Sequence, residues 1–124
     1  MKSPRPMDLN LFHVRFPVMA IVSILHRITG VITFLALPVL LYLLNTSLLT
    51  QTSFDQTIEF CRGGFCKLFL WAVLVCMIFH LLAGIRHIIM DFGVGESVTP
   101  ARFTAFFLLG TTLIFAILAG AWIW

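Results

Sequence analysis

The stretch Leu68–Ile85 reads LFLWAVLVCMIFHLLAGI and contains no Lys, Arg, Asp or Glu. Its length is close to the ~20 residues an α-helix needs to cross a hydrocarbon core of about 30 Å. Two further charge-free runs, Ile28–Leu49 and Phe103–Trp124, have the same character. None alternates apolar and polar residues as a half-buried strand would. The sequence therefore predicts an all-α integral membrane protein, a three-helix bundle with spans at about 28–49, 68–85 and 103–124. Pro38 falls inside the first run, where a membrane helix absorbs it as a kink.

Composition agrees. The chain has 124 residues, 60% hydrophobic and 10% charged, against roughly 45–50% and about 25% in a soluble domain. Eight Lys/Arg and five Asp/Glu cannot coat a water-soluble fold of this size. A soluble domain, a disordered chain and a disulfide-stapled secreted scaffold are all excluded. The net charge of +3 sits at the flanks of the spans, so it points to membrane lipid and not to nucleic acid. Three cysteines is an odd number, so complete pairing is impossible. Cys76 lies in an apolar run as a small packing residue. Cys61 and Cys66 share a short loop in which they are either bridged or free. No CxxC or CxxCH occurs, which removes a thioredoxin-like site and covalent haem attachment.

Basic residues set the direction. Lys2, Arg5, Arg15, Arg27, Arg86 and Arg102 flank one side of the three spans, and only Arg62 and Lys67 flank the other. The positive-inside rule puts the N-terminus in the cytoplasm and the C-terminus outside. Trp71, Trp122 and Trp124 fall at the outer interface, as an aromatic belt would. The N-terminus lacks a small-residue cleavage site behind an apolar core, so it does not read as a cleaved signal. A multi-pass protein of the bacterial inner membrane is the expectation. Residues 1–27 form a cytoplasmic or interfacial segment. Its apolar residues Phe12, Phe16, Val18, Met19 and Ile21 either lie among headgroups or, after Pro17, lengthen the first helix.

Within the spans one ionisable residue stands out. His80 precedes Arg86 by six positions, which at ~1.5 Å per residue places it roughly 9 Å inside the boundary. Such a residue is a functional candidate by default. Gly84 follows one turn later on the same face and leaves bare backbone for a flat ligand. A b-type haem needs that pairing of a neutral nitrogen and a flat wall; a histidine bonded to a neighbouring helix beside a glycine packing notch needs it equally. His87 shares the face but lies too far along the axis to clamp the same iron. A six-coordinate haem would thus take its second ligand from a partner chain.

His26, Arg27, Arg86 and His87 map to the cytoplasmic rim. They can meet haem propionates, or they can simply snorkel to anionic lipid. Arg27 with Ser23 one turn earlier can also hydrogen-bond quinone carbonyls. Ala116 and Gly120 give the third span a small-residue packing face. No dinucleotide loop, P-loop, nucleophile–base pair or carboxylate pair is present, so the chain alone does no chemistry on a soluble substrate.

These segments resemble the cytochrome b membrane-anchor (C) subunit of bacterial succinate dehydrogenase, complex II. The likeness rests on RPMDLNL at Arg5–Leu11, RFPVMAIVSILHRITGVITF at Arg15–Phe34, and HLLAGIRHIIMDFG at His80–Gly93. It implies a single membrane-anchor domain over residues 1–124, with His80 as an axial ligand of haem b and the other ligand supplied by a D subunit. It implies His26, Arg27 and His87 near the propionates. It further implies Ser23 and Arg27 in a ubiquinone pocket, with Phe16 and Ile24 as its apolar parts. The iron–sulfur subunit and a D-subunit tyrosine complete that pocket. The resemblance also implies that succinate is oxidised at a flavoprotein subunit of the enzyme, outside this chain. A fumarate reductase anchor and a cofactor-free three-span structural or assembly protein are the competing readings.

Overall fold

The structure, a computed structural model, describes residues 17–124. Four helices follow one another: α1 (Val18–Leu49), α2 (Gln51–Arg62), α3 (Gly64–Asp91) and α4 (Val98–Ile123). No strand occurs among the described residues. Three helices, α1, α3 and α4, are long and apolar enough to cross a membrane. α3 is the central helix, packing against both α1 and α4, while α2 folds back on α1.

Each spanning helix extends beyond its charge-free run. α1 begins directly after Pro17, whose carbonyl accepts from Ala20 N at 2.9 Å. The helix then carries His26 and Arg27 in its early turns and passes unbroken through Pro38. α3 continues past Ile85 through Arg86 and His87. It closes in a Schellman motif: Gly93 at φ +80° donates to Met90 O at 2.8 Å and Val94 to Ile89 O at 3.4 Å. A residue in the left-handed region is strained unless it lacks a Cβ, and Gly93 supplies that freedom. Charge marks where lipid ends, but backbone hydrogen bonding continues until such a cap stops it.

The loop between α1 and α3 contains a helix that the run of charges did not reveal. In α2, Thr50 and Ser53 form a capping box, with Ser53 N to Thr50 Oγ1 at 3.1 Å and Thr50 N to Ser53 Oγ at 2.9 Å. Thr57 Oγ1 donates to Thr46 Oγ1 at 3.3 Å and ties α2 to the end of α1. Gly63 ends α2 in an extended conformation, and α3 starts on the next residue.

The core is thin. Val22, Phe79, Ala83, Ala105 and Leu108 form a buried cluster among α1, α3 and α4, with Val18, Leu25, Leu82 and Leu109 packed against it. Elsewhere the contacts are made mostly by small residues such as Ala36, Ala101 and Ala116, which let membrane helices approach closely. Large apolar residues face outward, Phe34 at 72% and Phe107 at 67% exposure. In water that surface would aggregate; in lipid it is the solvated face. Hydroxyls inside the spans bond back to carbonyls of their own helix, as Thr29 does to Leu25 O at 2.8 Å and Thr112 to Leu108 O at 2.9 Å.

Trp71 meets Trp124 edge-on, with ring centroids 6.5 Å apart, and points its indole N–H at α4. Its Nε1 donates to Ala116 O at 2.9 Å, and its ring lies 3.4 Å from where a Cβ on Gly120 would be. The small-residue face at Ala116 and Gly120 thus admits an indole from α3. The cysteines Cys61, Cys66 and Cys76 are free thiols.

Candidate functional site

Three histidines meet where α1 crosses the second half of α3. The His26 ring lies between the other two: its centroid is 4.2 Å from that of His80, with planes 16° apart, and 5.0 Å from that of His87, with planes 20° apart. Helical spacing explains the stack. His80 and His87 lie two turns apart on one face of α3, and α1 presents His26 to the gap between them.

The tautomers follow from the hydrogen bonds. His80 Nδ1 donates to the main-chain carbonyl of His26 at 3.0 Å. A carbonyl can only accept, so Nδ1 carries the proton, and in the neutral ring Nε2 keeps its lone pair. That Nε2 makes no hydrogen bond among the described residues. His87 Nδ1 likewise donates to Ala83 O at 2.8 Å. The His26 carbonyl also accepts from Thr29 Oγ1 at 3.1 Å, so it is held in place by two donors from outside the helix ladder.

His26 Nε2 is different. It is a buried side-chain nitrogen with no hydrogen-bond partner among the described residues. It lies 3.5 Å from the point where a Cβ on Gly84 would be. Gly84, expected to leave a bare wall beside His80, is therefore covered by His26. The glycine that His80 rests on is Gly30 of α1, where a Cβ would come within 2.8 Å of His80 Cε1. The signal was available in the sequence: Gly30 stands four residues after His26, on the same face of α1.

The remaining candidates are distributed unevenly. Ser23 is half-buried, while Ile24 and Arg27 are exposed along α1. Ser23 and Arg27 are one turn apart and share a side of the helix. Phe16 lies outside the described residues. Arg86 does not join the histidines: its Nε donates to Thr104 Oγ1 at 3.1 Å and its NH2 group to Ala101 O at 3.0 Å, bolting α3 to α4. The one ion pair among the described residues, Arg62 with Glu59, is at the opposite end of the bundle. A cleft of about 430 Å³ between α3 and α4 is bounded by Arg86, Pro100, Thr104 and Phe107; none of Ser23, Ile24 or Arg27 lines it.

The residues present fit a haem. His80 offers a nitrogen lone pair whose partner nitrogen is anchored to a backbone carbonyl, the arrangement that orients ligating histidines generally. The orphaned His26 Nε2 is an unmet polar group beside it, of the sort that a bound carboxylate or water satisfies.

A membrane-spanning helical chain with an intramembrane imidazole of this kind defines a class, and comparison with known proteins names it. The family described as Succinate dehydrogenase/Fumarate reductase transmembrane subunit matches residues 1–119. The chain belongs to that family of membrane-anchor subunits and is a multi-pass protein of the bacterial inner membrane. It is similar to the succinate dehydrogenase cytochrome b556 subunit of Coxiella burnetii, at 42% identity over 100% of both chains. The cytochrome b556 subunit of Rickettsia felis is 30% identical over 92% of this chain and 89% of its own length. The cytochrome b560 subunit of Reclinomonas americana is 28% identical over 93% and 83% respectively. These relatives are subunits of an enzyme complex, succinate dehydrogenase.

Proposed function

We propose that this chain anchors a succinate:quinone oxidoreductase in the membrane, ligates haem b through His80 Nε2, and forms one wall of the ubiquinone-reduction site. The observation that carries the reading is the His80 Nδ1 bond to His26 O, which leaves the Nε2 lone pair available to a metal. The names of the similar proteins, cytochrome b556 and b560 subunits of succinate dehydrogenase, support haem and the direction of succinate oxidation over fumarate reduction. A partner D subunit supplies the second axial ligand, and the iron–sulfur and flavoprotein subunits carry the succinate-oxidising chemistry. The excess of Lys/Arg on the histidine side supports a cytoplasmic N-terminus and an outer C-terminus, so the soluble arm docks at the end that holds the site.

When bound, haem b supplies a one-electron redox centre within the bilayer. His80, its Nδ1 proton held by the His26 carbonyl, would offer Nε2 to the iron in a fixed tautomer. His26, Arg27 and His87 would lie beside the propionates. At the quinone, the Ser23 hydroxyl and Arg27 guanidinium hydrogen-bond carbonyl oxygen. The guanidinium stabilises charge as it develops there, while Ile24 and Phe16 hold the ring against apolar surface and exclude water.

A visible spectrum tests the haem reading. Dithionite-reduced membranes containing this chain and its partners should show a b-type α-band that His80→Ala abolishes or alters. A featureless spectrum with the partners present would leave a cofactor-free structural protein, and an unchanged band in His80→Ala would remove the ligand assignment.

A further inference from the structure

Gly30 lies one turn past His26, where α1 crosses α3. The three atoms nearest its absent Cβ all belong to the His80 imidazole: Cε1 at 2.8 Å, Nδ1 at 3.2 Å and Nε2 at 3.8 Å. Unbonded carbons rest at about 3.5–4.0 Å, so a methyl group at position 30 cannot coexist with the ring where it stands. Gly84 differs, since a Cβ there would meet only His26 Nε2, at an ordinary 3.5 Å.

Three contacts define the His80 ring. Nδ1 is held by His26 O, one face is held by the His26 imidazole, and the Cε1–Nδ1 edge lies on the bare backbone of Gly30. Two of these are with α1 main chain, which cannot move aside as a long side chain can. A ring displaced by a methyl group must either lengthen the Nδ1 hydrogen bond or tilt out of its stack on His26. Either motion re-aims Nε2.

We infer that Gly30 is a positioning residue for His80, admitting the imidazole against the α1 backbone and so fixing the ring plane in which Nε2 meets the iron. The inference rests on the reading of His80 as the haem ligand. The plane of an axial imidazole and the hydrogen bond to its other nitrogen set the electronic properties of the iron. A substitution at position 30 therefore changes the spectroscopic signature and potential of the haem.

The test uses the assembled complex. In Gly30→Ala, the low-field g value of the ferric haem and its midpoint potential should both shift from wild type. Gly110→Ala, whose Cβ would meet nothing within 4 Å, should leave both in place. Wild-type values in Gly30→Ala would overturn the inference, whereas a wild-type haem signal in His80→Ala would overturn the ligand reading beneath it. Should Gly30→Ala fail to assemble, the same clash is read in a His80→Ala background. With the ring gone the methyl group has no target and alanine favours the helix, so the double variant should melt no lower than His80→Ala alone. A further drop would mean that Gly30 packs on something else, and the inference would fall.

Discussion

His80 and His26 are joined twice: an imidazole nitrogen of His80 donates to the main-chain carbonyl of His26 at 3.0 Å, and their rings stack at 4.2 Å. The link between α1 and α3 at this depth is therefore also the element that sets the tautomer of the only histidine deep within a charge-free run. Substituting the side chain of His26 removes the stacked ring but leaves the carbonyl. Folding and site geometry are thus supported by partly separate atoms of one residue.

Ser23 and Arg27 should separate quinone chemistry from succinate oxidation. Losing a hydrogen bond to a charged group costs about 1.5–3 kcal/mol, roughly a ten- to hundredfold fall in rate. Ser23→Ala and Arg27→Leu should lower succinate-to-quinone turnover, Arg27→Leu by the larger factor, while succinate-to-dye activity persists. Full quinone turnover in both variants would contradict the proposed site.

Topology can be read from thiols. With Cys66→Ser and Cys76→Ala, the remaining half-buried Cys61 should react with a membrane-impermeant maleimide on intact spheroplasts after mild reduction. A cysteine introduced as Glu96→Cys, at an exposed position in the loop between α3 and α4, should react only after lysis. The reverse pattern would invert the chain in the membrane.

Trp71 is expected to contribute through one hydrogen bond and its slot. Trp71→Phe keeps an aromatic ring but leaves Ala116 O without its 2.9 Å donor. Interhelical hydrogen bonds in membranes are worth about 0.6–2 kcal/mol, so a loss of about 1 kcal/mol is expected in denaturant titration of the complex. Haem spectra should be unchanged, because the slot lies at the far end of α3 from His80.

Gly93 is the conformational stop of α3. At φ +80° an alanine costs about 1–2 kcal/mol, and asparagine less because it tolerates this region. Gly93→Ala should therefore lower stability more than Gly93→Asn, measured in the same titration. Equal losses would mean that the turn is not under backbone constraint.

The three spans were legible because lipid imposes a single demand, continuous apolar character, that a linear scan detects. Their ends were legible in part: α1 stops at Leu49 with its charge-free run and begins after Pro17, one of the two readings of that segment, whereas α3 runs on past Arg86 until Gly93 stops it through backbone geometry. α2 escaped because a search for continuous apolar runs passes over a short amphipathic helix, whose signals are the Thr50–Ser53 box and the spacing of Phe54, Ile58 and Cys61. At the site, His80 was legible as an ionisable group in an apolar helix. Gly84 was read as a bare wall for a flat ligand beside His80; His26 covers it, and the glycine that lies against His80 is Gly30, one turn past His26 on α1. Arg86 was grouped with the histidines by depth alone; direction around the helix sends it to α4.

The buried cluster of Val22, Phe79, Ala83, Ala105 and Leu108 lies entirely in the half of the bundle that holds the histidines. The other half meets largely through small residues and one indole slot. Manufacturing tolerance is thus unequal along the molecule. Tags, grafted loops or altered lipid-facing residues near α2 would be absorbed locally, whereas a comparable change beside Val22 would be transmitted toward His80 through the buried cluster that Val22 shares with Phe79.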